Sequence, residues 1–266
     1  MNLFASDLDR TLIYSKRALH EMETPWNQSM VGVEAKNGEH VSFMTKDSYY
    51  LLKEIATKHL FVPVTTRTYE QYKRIFIFEK EMPMTYCVTS NGAKIHYKGT
   101  LVKDWAEIIH TKLKEDCMEK DELLEKLKSY SLHGELKIAD NLFFYYVLKT
   151  TIDEDFKSEL IKIALENGWN VSLQGRKLYF MPRPICKGEA IKYIMEREGV
   201  EKSIGAGDSL LDFPFLSCCH IGYIPRHGEL TLENTLNSTH HLTIQKGAFA
   251  GEEIVRNVHK QFNLQI

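Results

Sequence analysis

The 266-residue chain is 43% hydrophobic and 26% charged, a composition typical of an ordinary globular protein that is large enough for one big core or two moderate ones. Its net charge of −2 argues against a surface that binds polyanions, so we expect no nucleic-acid partner. No stretch approaches the roughly 20 consecutive apolar residues that span a bilayer, so we also expect no membrane partner.

The five cysteines are few, and none of them lies in a C-x-x-C pair. This usage indicates reduced thiols and no zinc site. The N-terminus has no basic segment followed by an apolar one, which a secretory signal would need. We therefore expect a cytoplasmic protein that is a monomer or a small homo-oligomer.

Short apolar runs alternate with amphipathic helical patterns along the chain, which is typical of an α/β fold with a mostly parallel sheet. The first buried strand is NLFAS, which ends immediately before Asp7. Two alternating stretches flank Lys36-Asn37-Gly38, and the Asn-Gly pair predicts a hairpin turn there. An amphipathic helix is predicted from Lys46 onwards.

The run LFVPV from Leu60 predicts the second core strand, which ends at Thr65. Pro63 is unexpected in a central strand because proline cannot donate a hydrogen bond to the ladder. A helix around Tyr69–Glu79 and a third strand, TYCVTS, follow, and this strand leads into Asn91.

The pattern changes between about Ala93 and Pro182, where charge-rich helices alternate with paired strands. Turns at Asp140-Asn141 and Gly175-Arg176 each join two strands, and an amphipathic helix lies between the pairs. The α/β pattern then resumes with the strands SIGAGDS and CHIGYIP. We predict an α/β protein whose doubly wound, mostly parallel core carries an inserted α+β cap domain, with domain bounds of 1–92, 93–183 and 184–266.

Polar residues close four of the predicted core strands, namely Asp7, Thr65, Asn91 and Asp208. In an open α/β sheet the carboxyl ends of the strands line the ligand crevice, so these residues should converge. Asp7 and Asp9 would repel each other by about 4 kcal/mol at 4 Å in a moderate dielectric. Either a cation lies beside them or one of the two is protonated.

Two further candidates belong to the same crevice. Asp212 lies four residues beyond Asp208, and Lys187 opens the helix that follows the insertion. Carboxylates with a hydroxyl and a lysine suit a hard cation together with a phosphate group. Mg²⁺ takes oxygen ligands and leaves part of its shell to water and substrate phosphate, so Mg²⁺ is the predicted cofactor.

These residues resemble the motifs of the haloacid dehalogenase-like phosphatases. The chain reads D-x-D-x-T from Asp7 to Thr11, VTTR around Thr65, CKGEA around Lys187 and GDSLLD from Asp208 to Asp212. The four motifs occur in the family's order and cover both ends of the chain. The large insertion before the lysine helix is similar to the capped subgroup of sucrose-phosphate phosphatases, Cof-type sugar phosphatases and phosphomannomutases.

The resemblance implies a role for each matching position. Asp7 would be the nucleophile that forms an aspartyl-phosphate, and Asp9 the general acid and base. Thr65 and Lys187 would bind the phosphoryl oxygens. The metal residues would be Asp7, the Asp9 backbone carbonyl, Asp208 and Asp212, the last through a second layer or a bound water.

Substrate contacts are predicted from Thr65, Arg67, Asn91 and Arg10. Arg67 is equally compatible with a surface charge, and Asn91 with a plain turn residue. The chain departs from the subgroup at Arg10, where glycine is common, and at Leu211, where asparagine is common.

Alternative positions remain for two of the catalytic residues. Thr66 and Thr68 are close enough to replace Thr65 if the strand register slips, and Lys192 is the alternative to Lys187.

The resemblance therefore implies a Mg²⁺-dependent phosphatase for a small phosphorylated metabolite, for which a sugar phosphate is one candidate. A phosphomutase that returns the phosphate to its product is the first alternative. A non-catalytic binding protein is the second, although such a protein would be expected to have lost at least one key residue. The sequence does not identify the substrate.

Overall fold

The computed structural model describes residues 1–82, 84–232 and 236–263, and the chain divides into two compact units. The first unit joins Met1–Leu101 to Lys187–Ile266, and the second is Val102–Cys186. The boundary thus lies at 102 and 186, whereas the sequence pattern suggested 93 and 183.

The physical reason for this difference is strand pairing. Residues Lys94–Tyr97 form a strand that pairs antiparallel with Tyr86–Thr89. The buried side chain of Ile95 on that strand belongs to the first unit, so the chain leaves this unit only after Leu101.

Short strands run through both units. In chain order they are β1 (Asn2–Ser6), β2 (Tyr14–Ser15), β3 (Met30–Lys36), β4 (Glu39–Thr45), β5 (Leu60–Pro63), β6 (Tyr86–Thr89), β7 (Lys94–Tyr97), β8 (Thr100–Leu101), β9 (Gly134–Ala139), β10 (Phe143–Leu148), β11 (Trp169–Gln174), β12 (Lys177–Pro182), β13 (Lys202–Ala206), β14 (Ile221–Ile224) and β15 (His240–Leu242).

The α-helices lie between some of these strands along the chain. They are α1 (Lys16–Glu21), α2 (Lys46–Lys58), α3 (Tyr69–Tyr72), α4 (Phe76–Lys80), α5 (Lys103–Asp116), α6 (Lys120–Leu127), α7 (Glu154–Glu166), α8 (Lys187–Glu198), α9 (Phe213–Leu216) and α10 (Gly247–Asn263). In the described part of the chain, no helix has the length and apolar character that crossing a bilayer requires.

The main sheet of the first unit is parallel, with the strand order β15-β14-β13-β1-β5. β1 lies inside this sheet and pairs with β13 on one side and β5 on the other, so the predicted α/β core is confirmed. Pro63 ends β5 at the last position of the strand order, where a missing N–H donor is tolerated.

One apolar cluster ties the sheet to its helices. Phe4 of β1, Phe61 of β5 and Ile204 of β13 pack in the same cluster as Val255 and Val258 of α10. Burying a side chain of this size contributes about 1.5–3 kcal/mol. The cluster therefore fixes the carboxyl ends of the three strands relative to one another.

The third predicted core strand, β6, pairs differently from the expectation. It hydrogen-bonds to β7 in a separate antiparallel sheet completed by β8. It joins the main sheet through an isolated parallel bridge between Val64 and Val88, beside which the Thr65 amide donates to the Val88 carbonyl at 2.9 Å. The end of β6 nevertheless lies beside the end of β5.

The helix predicted around Tyr69–Glu79 is two short helices, α3 and α4. The backbone at Ile75 has φ −81° and ψ 82°, which leaves the helical region and separates them. Ile75 itself is fully buried, so the break places an apolar side chain in the core.

The predicted hairpin is present as β3 and β4, with Asn37 and Gly38 at φ 53° and 82° in its turn. With β2 it forms a three-stranded antiparallel sheet. The β3–β4 register shifts on both sides of Glu34, and Val33 and Glu34 are both buried although they are consecutive. A β-bulge of this kind turns a side chain away from strict alternation.

The second unit is an antiparallel sheet in the order β11-β12-β10-β9, accompanied by α5, α6 and α7. Its two predicted turns fall where expected, with Asp140, Asn141 and Gly175 at positive φ. Phe144 stacks on Phe180 with ring centroids 5.0 Å apart, so the aromatic run LFFYYV supplies the core of this sheet.

Removing Val102–Cys186 and joining Leu101 to Lys187 through a Gly-Ser linker should leave a first unit that unfolds cooperatively in urea. Removing 93–182 instead deletes β7 and exposes the partner surface of β6, so this matched variant should lose cooperativity. If the first variant failed to unfold cooperatively with several linker lengths, the division at 102 and 186 would be contradicted.

Candidate active site

Asp7 lies at the carboxyl end of β1, inside the parallel sheet. Its amide donates to the Ala206 carbonyl at 2.8 Å, which continues the β1–β13 ladder by one residue. The chain then turns tightly, because the amides of Leu12 and Ile13 both donate to the Leu8 carbonyl, at 3.0 and 2.9 Å. The turn leaves the Asp7 carboxylate buried at the sheet edge.

A buried lysine joins Asp7 to the loop after β13. Lys187, the first residue of α8, places its Nζ 2.7 Å from Asp7 Oδ1 and 2.6 Å from Asp212 Oδ1. Burial opposes its charge, but the Asp212 and Asp7 carboxylates outweigh burial and raise the pKa of Lys187 above its usual range. The alternative, Lys192, is 51% exposed and pairs with Glu189.

The second oxygen of Asp212 organises the acidic loop. Asp212 Oδ2 accepts hydrogen bonds from the Asp208 amide at 3.0 Å and from the amide and hydroxyl of Ser209, each at 2.9 Å. A Cβ at Gly207 would lie 2.4 Å from the Asp212 Cβ, so a residue without a side chain is required there. Asp212 therefore fixes both the loop and the lysine.

Asp208 completes an acidic cluster with Asp7 and Asp212. Among the described residues, one carboxylate oxygen from each of the three lies within 4.8 Å of the others. The Thr11 hydroxyl lies between two of them, 3.4 Å from Asp7 Oδ2 and 3.4 Å from Asp208 Oδ1. The cluster presents only oxygen atoms beside the lysine.

The electrostatics of this cluster call for a cation. Burial raises the pKa of Asp7 to about 7, with Asp212 adding to the rise and Lys187 opposing it. Burial also raises the pKa of Asp208 well above its usual value, and the charges of Asp7 and Asp212 add to that rise. A divalent cation would favour the ionised forms of Asp7 and Asp208, and the oxygen donors of the cluster suit Mg²⁺.

The Asp9 carboxylate is paired with Arg67. Its two carboxylate oxygens accept from Nε and Nη2 of Arg67, both at 2.7 Å. The same guanidinium contacts the two carboxylate oxygens of Glu34 at 2.9 and 3.0 Å. Arg67, a predicted substrate contact, thus pairs with two carboxylates. The predicted contact of Asp9 with a metal is made by its backbone carbonyl and does not need the carboxylate.

Thr65, Arg67 and Asn91 meet at the ends of β5 and β6. The buried Thr65 hydroxyl accepts from the Arg67 amide at 3.2 Å, and the Thr65 carbonyl accepts from the Asn91 amide at 3.0 Å. Asn91 and its neighbour Ser90 both have positive φ, which makes a tight turn at the strand end. The structure therefore brings these three predicted residues together.

Arg10 occupies a left-handed backbone conformation, with φ 68°. This conformation explains why glycine suits the position. The Arg10 side chain pairs with Glu21 at 3.2 Å and lies 3.9 Å from Asp208, and its carbonyl contacts His227 Nε2 at 2.8 Å. Its contacts thus join α1 and the segment that follows β14 to the site.

Three contacting residues were not singled out by the sequence reasoning as parts of the site. Ser209 lies inside the acidic motif and Thr11 inside the first motif, so motif spacing could have indicated both. Glu34 lies in an apolar strand of the hairpin, and its pairing with Arg67 spans 33 positions. Nothing in the local pattern around Glu34 distinguishes it from a solvent-facing acid.

Replacing Arg10 tests its backbone conformation. Arg10→Gly and Arg10→Ala remove the same side-chain contacts, but alanine keeps the left-handed strain. We expect the glycine variant to be the more stable of the two, by up to about 1 kcal/mol in urea unfolding. Equal stability of the two variants, or a more stable alanine variant, would contradict the strained conformation.

Comparison with known proteins identifies the family to which the chain belongs. The model of the sucrose-6F-phosphate phosphohydrolase family matches residues 37–222. A phosphoglycolate phosphatase of Staphylothermus marinus is 30% identical over 106 residues, which is 36% of this chain and 43% of that relative. The match thus spans less than half the length of this relative.

Two solved structures share the fold. The sucrose-phosphatase of Synechocystis sp. PCC6803, solved with sucrose and phosphate, is 18% identical, with a TM-score of 0.69 over 96% of both chains. A haloacid dehalogenase-like hydrolase of Bacillus subtilis is 17% identical, with a TM-score of 0.57 over 99% of this chain and 92% of that one. The resemblance read from the motifs is confirmed: the chain has the haloacid dehalogenase-like fold and belongs to the sucrose-6F-phosphate phosphohydrolase family.

Proposed function

We propose that this protein is a Mg²⁺-dependent phosphatase that hydrolyses a small phosphorylated sugar through an aspartyl-phosphate on Asp7. The observation that carries the proposal is the buried lysine Lys187, held between Asp7 and Asp212 beside Asp208. A structural ion pair would need one carboxylate per lysine, whereas here two buried carboxylates contact one lysine and a third, partly buried carboxylate lies beside them. The excess negative charge suits a cation and a phosphoryl group together.

In the first chemical step, a carboxylate oxygen of Asp7 attacks phosphorus while the bond from phosphorus to the sugar oxygen breaks. Asp9 gives its proton to the departing sugar oxygen, because an alkoxide is a poor leaving group. The products of this step are the free sugar and a phosphoryl group on Asp7.

In the second step, water attacks the phosphoryl group on Asp7 and Asp9 accepts a proton from that water. The bond between Asp7 and phosphorus breaks, which releases inorganic phosphate and restores the carboxylate. Asp9 is then protonated again for the next cycle.

The remaining polar residues bind and orient the phosphoryl group. Lys187 is already charged and dehydrated, so it offers a preorganised positive charge to the phosphoryl oxygens. Thr65 would donate its hydroxyl, while Asn91 and Arg10 would contact the rest of the substrate. Arg67, the remaining predicted substrate contact, also holds both carboxylate oxygens of Asp9.

Asp7, Asp208 and the Asp9 backbone carbonyl would hold Mg²⁺, with Asp212 acting on it through Asp208 or a bound water. When bound, the ion supplies positive charge that offsets the charge of the transferring phosphoryl group. The carboxylate oxygens of Asp7, Asp208 and Asp212 lie within 4.8 Å of one another, which supports the two carboxylate ligands and the place given to Asp212.

Family membership supports a phosphorylated sugar as the substrate class. The family is that of sucrose-6F-phosphate phosphohydrolases, and the Synechocystis relative was solved with sucrose and phosphate. The curated relative is a phosphoglycolate phosphatase, which makes phosphoglycolate the natural non-sugar comparison.

We also propose that the protein acts in the cytoplasm, without nucleic acid or membrane, as a monomer or small homo-oligomer. All five cysteines are free thiols, which suits a reducing compartment.

A screen of phosphorylated sugars, including sucrose-6F-phosphate, should release inorganic phosphate in Mg²⁺ and none in EDTA, with activity restored by added Mg²⁺. Phosphoglycolate should be a poorer substrate than the best sugar phosphate. Asp208→Asn should raise the Mg²⁺ concentration needed for half-maximal rate, because one anionic ligand is lost. Full turnover in EDTA would contradict the metal assignment.

Lys187→Ala should lower turnover by about 100-fold or more, because a preorganised charge at the phosphoryl group is lost. It should also destabilise the fold by about 3 kcal/mol, since the buried carboxylates lose their partner. Lys192→Ala is the matched control on the same helix and should leave both quantities unchanged. Initial rates and urea unfolding check both, and similar losses in the two variants would contradict the role given to Lys187.

A further inference from the structure

Glu34 is a buried carboxylate that neither the motifs nor the mechanism above uses. Its side chain is 3% exposed, and it lies on β3 of the hairpin where the register with β4 shifts. The Ser42 hydroxyl on β4 donates to its Oε2 at 2.5 Å. Arg74 adds an ion pair from the other direction, with Nε 3.2 Å from Glu34 Oε1.

The main partner of Glu34 is Arg67, and the contact has two arms. Nη1 and Nη2 of Arg67 lie 2.9 and 3.0 Å from the two oxygens of Glu34. A two-armed pair fixes the plane of a guanidinium as well as its position. The backbone of Arg67 is fixed too, since its carbonyl accepts from the Ser90 amide at 2.7 Å.

The adjacent edge of the same guanidinium, formed by Nε and Nη2, holds Asp9. The two carboxylates that bind Arg67 differ in burial, because the Asp9 side chain is 49% exposed while that of Glu34 is 3% exposed. Both oxygens of Asp9 accept from Arg67, so this guanidinium sets the orientation of the Asp9 carboxylate. Glu34 is also held by Ser42 and Arg74, so its position does not depend on Asp9.

We propose that Glu34 is a positioning residue for the acid–base step, and this inference rests on the function proposed above. Glu34 anchors Arg67, and the anchored guanidinium sets the position from which Asp9 turns to the leaving oxygen and to which it returns. Because Arg67 keeps one carboxylate throughout, the movement of Asp9 leaves no buried cation unpaired. The hairpin thus acts on the chemistry through an ion pair.

Kinetics with two leaving groups test the proposal. A sugar oxygen needs protonation to depart, whereas p-nitrophenolate leaves without it, so a fault in placing Asp9 affects the first step far more for the sugar phosphate. Relative to wild type, Glu34→Gln should lower kcat/KM, which reports the first step, about 10-fold more for the sugar phosphate than for p-nitrophenyl phosphate. In an Asp9→Asn background, Glu34→Gln should not alter the ratio of the two rates any further.

The matched control is Arg74→Gln, which removes a cation from the same buried carboxylate but leaves Arg67 with both of its partners. It should lower the two rates by the same factor. Glu34→Asp keeps the charge with a shorter side chain, and it should show the same selective loss if the glutamine variant does not fold. Equal losses on both substrates in the Glu34 variants, or a further change of ratio beyond Asp9→Asn, would overturn the inference.

A spectroscopic readout separates this inference from the proposed function. The Arg67 Nε–H resonance in a ¹⁵N–¹H spectrum should shift in both Glu34→Gln and Asp9→Asn, because each variant removes the charge of one partner of the guanidinium. If wild-type protein hydrolysed neither substrate, the proposed function would fail and this resonance would still test the anchor. A resonance that moves in Asp9→Asn but not in Glu34→Gln would overturn it.

Discussion

The burial of Lys187 between Asp7 and Asp212 is the constraint on which the rest of the site depends. Three carboxylates gathered beside the carboxyl ends of β1 and β13 would repel one another without a compensating charge. One lysine, 1% exposed, offsets part of that charge and locks β1, α8 and the loop after β13 into one arrangement. The negative charge that Lys187 does not offset leaves the site suited to a second cation, which would in turn help to bind a phosphate.

Much of the fold follows from local sequence. Parallel core strands are short apolar runs ended by polar residues, and Asn-Gly or Asp-Asn pairs adopt the positive φ that tight hairpins need. The pairing of β6 could not be read in this way, because a buried strand looks the same whether its partner is parallel or antiparallel. The domain boundary depended on that pairing, and so it differed by several residues at its first end.

The residues of the site also differ in how far the sequence predicts their positions. Asp7, Asp208, Asp212 and Lys187 stand at strand ends and a helix start, where spacing along the chain determines position in space. The partners of Arg67 do not, since Glu34 reaches it from a hairpin through a bulge that spacing does not predict. Arg10 shows a third case, in which the motif indicates the backbone conformation while its side-chain partners appear only in three dimensions.

The most direct test of the account is whether Asp7 itself carries the phosphoryl group. The Asp9→Asn variant lacks the base for the second step, so mixing it with p-nitrophenyl phosphate and Mg²⁺ and quenching in acid should trap the intermediate. Mass spectrometry of the digested protein should find one added phosphoryl group on the peptide that contains Asp7, absent from Asp7→Asn protein. Turnover of the substrate with no modified Asp7 peptide, or modification of another residue, would contradict the account.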